Sequence, residues 1–456
     1  MKTYFVFIIS TLSILPSIFA QEIKWNGPSV DFSHGKLVVD SSRRFLAFED
    51  GDHFPYFGDT AWELFHRLDK KSTETYLENR RQKGFTVIQA VILAELDGLV
   101  VPNSEGNVPL LGRDPSHPNE NYFKHIDWVV ERACEKGLFI GLLPTWGDKV
   151  DKKWGIGPEI FTEKNAFEYG EFLGQRYKSH PNIIWIMGGD RSGGGKNFDI
   201  WCSMAEGIKS MDNEHLMTYH PIGERSSAEW FHNEDWLDFN MVQTGHAKRT
   251  SEIYRRILVP DYHRVPVKPI MDAEPRYENH PVNWNPNELG WFDDVDVRQS
   301  LYWSIFSGGF GYTYGCHSIW QMRDESNEPV GFARSFWTDD LDLAGAWDII
   351  HARNLLGSRK ANQMKPFPEL ILNTDGADTD WTVASTGNDF AMVYLPNGTD
   401  VILNLPVLDR IEIETVWYNP RNGNWLTKKK LKGNGIAKFS APSRGRGNDW
   451  ILVLDF

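Results

Sequence analysis

Cysteine is nearly missing from this chain: three in 456 residues, Cys134, Cys202 and Cys316. They are far apart, odd in number and without metal-ligand spacing, which argues against a disulfide framework or a zinc site. Each reads as a small buried apolar residue. Basic clusters are missing as well. The formal net charge is −14, and the Lys428–Lys430 run is short enough to be a solvated strand edge. Nucleic acid and anionic membrane surfaces are therefore poor partners. No apolar run is long enough for a membrane span. The Tyr4–Ile14 run follows Lys2 and precedes small Ala20 and polar Gln21, so residues 1–20 read as a secretory signal. No cysteine stands next to that point to take a lipid anchor, and the protein is expected to be secreted or periplasmic. HxH and HExxH spacings do not occur, so neither a catalytic metal nor another cofactor is expected. Low-complexity segments are absent too.

Aromatic residues are abundant. Nineteen Trp, 27 Phe and 15 Tyr make 13% of the chain, a composition that suits both large barrel cores and sugar stacking. After a β-like prelude within residues 21–53, apolar strand-like runs alternate with helical patterns. The runs are 54–62, 85–93, 138–146, 182–190, 216–221, 239–246, 268–278 and 309–320. Ser72 can cap a helix ending near Gly84. Tyr122, Ile126, Val129, Val130 and Ala133 repeat at helical spacing before Gly137. Thr162 can cap a helix with Phe167 and Phe172 inward, and two more helices are expected over 294–307 and 340–356. Eight βα units over about 300 residues predict an α/β fold, a (β/α)8 TIM barrel, over residues 54–362. An open doubly wound sheet would want a Gly-rich phosphate loop after its first strand, and Gly58–Trp62 is not one. From about residue 363 the runs become short and alternating, with turn signals at Asn397-Gly398 and Asn422-Gly423. That predicts a small all-β sandwich domain over residues 363–456.

In such a barrel the active face is the C-terminal end of the strands. The first strand delivers Asp59 and Trp62; the second, Gln89 and Glu95; the third, Trp146 and Asp148. The fourth ends in Gly-Gly-Asp190-Arg191. The fifth gives His220, and the sixth Gln243 and His246. The seventh gives Asp272, Glu274, Tyr277 and Glu278, and the eighth Tyr314, His317 and Trp320. Carboxylates, imidazoles and aromatics in this mix suit a hydroxylated ring. Glycoside hydrolysis needs one acid on the leaving oxygen and one carboxylate on the other side, and strands four and seven each deliver an acid. Clan A glycosidases are similar in layout, although strand four here ends in Asp190 rather than in an Asn-Glu pair.

The runs Gly58-Asp-Thr-Ala-Trp62, Trp185-Ile-Met-Gly-Gly-Asp190, Met271-Asp-Ala-Glu-Pro-Arg-Tyr-Glu278 and Trp417-Tyr-Asn-Pro-Arg-Asn-Gly423 together resemble the apiosidase-like proteins of glycoside hydrolase family 140. The resemblance covers essentially the whole chain after residue 20. It implies a retaining glycoside hydrolase that cleaves apiose linkages in the pectin rhamnogalacturonan II, with Asp190 as acid/base and Glu274 as nucleophile. Asp59, Trp62, Gln89, Glu95, Trp146, His220, Gln243, His246, Tyr277, Tyr314 and Trp320 would then hold a plant cell-wall oligosaccharide or polysaccharide. The protein is expected to act as a monomer. Alternatives stay open at this point. Glu274 could pair with Arg276 and leave Glu278 as nucleophile. Another plant glycan could be the substrate. A non-catalytic glycan- or matrix-binding protein is the reading from a different class, since sandwich domains of related sequences carry a collagen-binding label. Two long polar-aromatic loops, 94–119 and 279–293 (the latter with Trp284 and Trp291), suit a bulky glycan.

Overall fold

The structure is a computed structural model that describes residues 23–373 and 378–456; the expected export segment lies outside them. Eight strands run parallel: β1 (Tyr56–Thr60), β2 (Val87–Leu93), β3 (Phe139–Thr145), β4 (Ile183–Arg191), β5 (Met217–Pro221), β6 (Asn240–Gln243), β7 (Ile270–Asp272) and β8 (Gly311–Tyr314). They pair in the order β5-β4-β3-β2-β1-β8-β7-β6. Every residue of β1, β2 and β3 is buried, because a barrel strand faces packed side chains inside and helices outside. That is why these runs do not alternate. The longer covering helices are α1 (Lys70–Gln82), α2 (Glu120–Glu135), α3 (Glu163–Tyr177), α4 (Asn197–Met211), α5 (Asp294–Phe306) and α6 (Ala344–Gly357).

The barrel is nearly closed. Among the described residues no strand ladder joins β5 to β6; one backbone bond, from the Asp238 N–H to the Met217 carbonyl at 2.8 Å, and two side chains span the seam instead. The Asp238 carboxylate accepts the Met217 N–H at 2.7 Å, and the Thr218 hydroxyl donates to the Phe239 carbonyl at 2.6 Å. A short strand, Arg225–Ser226, runs antiparallel on the outer edge of β6.

Local sequence explains most element ends, with several corrections. The cap of α1 is Asp69, which accepts the Ser72 N–H at 2.7 Å; Ser72, the expected cap, lies in the first turn. In α3 the expected Thr162 cap forms a reciprocal box with Asn165. Its inward stripe, however, is Ala166, Tyr169, Leu173 and Tyr177, with Phe167 and Phe172 half-buried on the flanks. Strands β7 and β8 are much shorter than the runs 268–278 and 309–320. Their apolar sequence continues as loop and as a helical turn at His317–Trp320, still buried and paired only through an isolated parallel bridge between Glu278 and Cys316. Among the cysteines, Cys202 and Cys316 are buried and Cys134 is half-buried; all three are free. No described helix is long and apolar enough to cross a membrane.

The C-terminal part is antiparallel. Strands Val383–Thr386, Phe390–Leu395, Trp450–Asp455 and Glu412–Asn419 pair in that order, opposite a two-stranded sheet of Val401–Asn404 and Ile436–Phe439. Ala391, Val393, Leu395, Leu452 and Leu454 fill the space between these sheets. The alternate residues Met392, Tyr394, Ile451 and Val453 belong instead to the barrel's core. The larger sheet is thus buried on both faces. At this junction Arg298 of α5, 2% exposed, forks onto Asp449 at 2.9 and 3.0 Å and reaches Asp348 at 2.9 Å. The Tyr394 hydroxyl donates to Asp449 at 3.2 Å. Replacing Arg298→Met would strand two buried acids, so the unfolding free energy should fall by about 3–5 kcal/mol. Urea unfolding followed by tryptophan fluorescence measures this, and a loss below about 1 kcal/mol would show that the cluster does not brace the junction.

Candidate active site

The C-terminal ends of the barrel strands open into a cavity of about 750 Å³. A larger cleft of about 890 Å³ lies at the opposite end, between the prelude and the end of α6. That end receives the starts of the strands, so the larger opening does not collect the strand-end side chains; the smaller one does.

The decisive local structure is the end of β4. Gly188 (φ 90°), Gly189 (φ 124°) and Asp190 (φ 56°) are three successive residues with positive φ. The register against β5 slips between Gly188 and Arg191, a bulge that re-aims the chain. Glycine is required at both of its positions. A Cβ at Gly188 would meet the His220 carbonyl at 2.5 Å, and one at Gly189 the Trp146 ring at 2.9 Å. Asp190 has no such excuse and sits in a strained conformation, a common mark of a working residue. Its side chain remains 21% exposed to the cavity. Trp154 donates its indole N–H to Asp190 Oδ2 at 2.7 Å.

Glu274 arrives two residues past the end of β7, immediately before Pro275. His246 Nε2 lies 2.9 Å from Oε1. His220 Nε2 lies 3.1 Å from Oε2, close enough for ion pairing although outside hydrogen-bond geometry. Arg276 does not pair with Glu274; its guanidinium binds the carbonyls of Lys248, Thr250 and Asp296. Glu278 is turned away from the cavity, accepting the Tyr314 hydroxyl at 2.6 Å and the Gly345 N–H at 3.1 Å near the start of α6. The two open alternatives for strand seven therefore have structural occupations.

Electrostatics separates the pair. Burial, and then the charge of Glu274, push the Asp190 carboxyl up to about 6, against the pull of His220, Arg191 and Trp154. Burial acts on Glu274 in the same direction, but His220 and His246 outweigh it and bring the group down to about 2. Nearby Glu95 is raised to about 8 by burial and by Asp190, Asp148 and Glu63. Between about pH 2 and 6 the Asp190–Glu274 pair holds one ionised and one protonated carboxyl, the division that acid–base chemistry requires.

Around them are Trp62, Trp146 and His220, with ring centroids 5.1 and 5.4 Å from Trp62. Trp146 Nε1, Gln243 Oε1, His246 Nδ1 and His280 Nε2 are buried with no partner among the described residues, and all four residues line the cavity. Convergent polar atoms of this kind suit a ligand with several hydroxyls. No lysine or arginine lines the cavity, whereas Glu95, Asp190, Glu224 and Glu274 do. Among the described residues, no group of three or more His, Cys, Asp or Glu is placed to hold a metal ion.

Of the residues expected at the site, Trp62, Glu95, Trp146, Asp190, Gln243, His246, Glu274, Tyr277 and Trp320 line the cavity. His220 sits beneath it against Glu274. Three do not reach it. Asp59 is fully buried between the Tyr76 hydroxyl at 2.5 Å and Arg80 Nε at 2.6 Å. Gln89 donates to Thr313 inside the barrel at 2.7 Å, and Tyr314 is occupied by Glu278. All three lie within their strands, where side chains point into or behind the barrel; apart from Asp190, on the bulge of β4, and Gln243, the last residue of β6, the lining residues lie beyond the strand ends. Asp148, another strand-end acid, is salt-bridged to Lys149 at 2.8 Å and accepts the Gly157 N–H at 2.7 Å, pinning a loop. Sequence reasoning missed Trp154, His280 and, as a site residue, Trp284. Trp284 is 48% exposed in the loop whose length and aromatics had drawn notice. Trp154 and His280 carry no periodicity or spacing that would have found them.

The family described as "Apiosidase-like, catalytic domain" matches residues 40–363. The chain belongs to the apiosidase-like family. The domain described as "Putative collagen-binding domain of a collagenase" matches residues 366–455. A solved structure named as a glycoside hydrolase is 31% identical, with a TM-score of 0.87, over 93% of this chain and 98% of its own. A glycoside hydrolase family 5 protein from Bacteroides vulgatus ATCC 8482 is 30% identical, with a TM-score of 0.86, over 93% of this chain and 94% of its own. A second B. vulgatus protein, 15% identical with a TM-score of 0.62, shares the fold. No curated protein matches. This apiosidase-like protein is a glycoside hydrolase of the clan A type, which sets aside the non-catalytic reading.

Because Glu274 contributes to the high value at Asp190, Glu274→Gln should lower the Asp190 pKa. A ¹³C NMR titration of the Asp190 carboxyl in both proteins tests this; an unchanged midpoint would mean the two carboxyls do not sense each other.

Proposed function

We propose that this apiosidase-like glycoside hydrolase is a retaining enzyme that cleaves apiose linkages in rhamnogalacturonan II. The observation that carries the mechanism is the division of labour between the two carboxyls of one cavity. Glu274, held ionised by two histidines, attacks the anomeric carbon. Asp190, held protonated by burial and by Glu274, protonates the departing oxygen. In the second half-reaction Asp190 takes a proton from water, whose oxygen displaces Glu274. The family supports apiose as the sugar. A cavity lined by four carboxyls and no cation supports an uncharged glycone, which apiose is. The Lys2, Tyr4–Ile14 and Ala20 pattern supports an exported protein that meets plant polysaccharide outside the cytoplasm.

On rhamnogalacturonan II fragments, Glu274→Ala and Asp190→Ala should each lower kcat/KM by at least about a hundredfold. Substantial activity in either variant would sink the assignment. Proton NMR of the first-formed product should show the anomeric configuration of the substrate, whereas inversion would give Glu274 the role of base. Activity needs Asp190 protonated and Glu274 ionised. So kcat/KM should fall as pH rises through about 6 and fall again only near about 2. A basic limb near the ordinary carboxylate range would contradict the proposed role of Asp190.

A further inference from the structure

Asp190 is held asymmetrically. The Trp154 indole N–H reaches Oδ2 at 2.7 Å, and the Arg191 guanidinium approaches that same oxygen at 4.0 Å. Oδ1 has no hydrogen-bond partner among the described residues, and the carboxyl lines the cavity. A protonated carboxyl has one hydroxyl and one carbonyl oxygen, and the carbonyl oxygen is the better acceptor. A donor fixed at Oδ2 therefore leaves the proton on Oδ1.

Trp154 is itself rigidly placed although 42% exposed. Its backbone carbonyl accepts Arg191 Nη2, and the guanidinium lies 4.3 Å from its ring centroid. Arg191, fully buried, also donates from Nε to the Asp151 carbonyl at 2.6 Å and from Nη1 to the Asp190 carbonyl at 2.8 Å. One guanidinium thus ties the loop that carries the indole to the strand end that carries the acid. Gly155 packs so closely on Asp148 that a Cβ there would lie 2.8 Å from its side chain, which holds the loop in the same place.

We propose that Trp154 is a positioning residue for proton transfer: its indole N–H reserves Oδ2 as an acceptor, so that Oδ1 carries the proton. In the first step the anomeric carbon–oxygen bond breaks as Glu274 bonds to carbon, and the Oδ1 proton goes to the leaving oxygen. In the second step water adds to the anomeric carbon, the Glu274 ester bond breaks and a water proton returns to Oδ1. The inference rests on Asp190 being the acid/base.

Trp154→Phe keeps a ring over Arg191 and deletes the N–H. On an apioside whose leaving group is a sugar alcohol, kcat/KM should fall by about 10- to 100-fold, the worth of one hydrogen bond to a charged group. On the 2,4-dinitrophenyl apioside, whose phenolate leaves without a proton, kcat/KM should be unchanged, which also shows that the variant is folded. The basic limb of the pH profile should move upward, since the N–H bond favours the ionised form of a carboxyl that also faces Glu274, His220, Arg191 and Glu95. Equal losses on both substrates, no loss on either, or an unmoved limb would overturn the inference. Asp190→Ala serves as the reference. If it shows no dependence on leaving group, the role of Asp190 itself fails; if it does and Trp154→Phe does not, only the role of Trp154 fails.

Discussion

The site depends on a three-residue left-handed step at the end of β4. An L-residue with a side chain pays about 1–2 kcal/mol to adopt that conformation, so the sequence spends two glycines to reach it and asks strain only of Asp190. The step does three things at once. It breaks register with β5, so Asp190 leaves the barrel wall and faces the cavity. It returns Arg191 to full burial, where that guanidinium fixes the neighbouring loop. It also leaves room, with no Cβ in the way, for Trp146 and His220 to close in. A plain strand of the same length would present none of these groups correctly.

Charge in the cavity is arranged with equal economy. The lining contains acids and no fixed cation, so the groups that hold Glu274 ionised are imidazoles. His246 contacts Glu274 and stacks on His280 at 4.2 Å. His280, its Nδ1 2.7 Å from the Pro281 carbonyl, is kept well below its usual value by burial and by His246 and His317. Its Nε2 is thus an acceptor facing the cavity. A lysine or arginine in these places would hold Glu274 ionised just as well, but it could not offer a neutral acceptor to a sugar hydroxyl.

Much of this was legible beforehand, for identifiable reasons. The barrel showed in apolar strand runs and in the α2 stripe, because burial on two faces and helical spacing leave direct marks on sequence. Asp190 and Glu274 showed because each ends an apolar run, Asp190 after Gly-Gly and Glu274 before Pro275. What could not be read was depth along a strand. Asp59 lies one residue and Gln89 four residues before the ends of their strands, where depth turns a ligand into a core residue. Trp154 and His280 were invisible for another reason. They belong to irregular loops whose positions are set by tertiary contacts, Arg191 for one and the stacked His246 for the other.

Arg298 links the sandwich to more than a neighbouring surface. It lies on α5, and α5 also provides the Asp296 carbonyl to Arg276, two residues beyond Glu274, and the Ser304 hydroxyl to Asp272 of β7. The C-terminal domain is thus a buttress behind the strand that supplies one of the two carboxyls. Modular shuffling would not preserve it: a sandwich borrowed from an unrelated protein would have to bring its own acid to position 449 and its own tyrosine to position 394. The two domains are built to be inherited together.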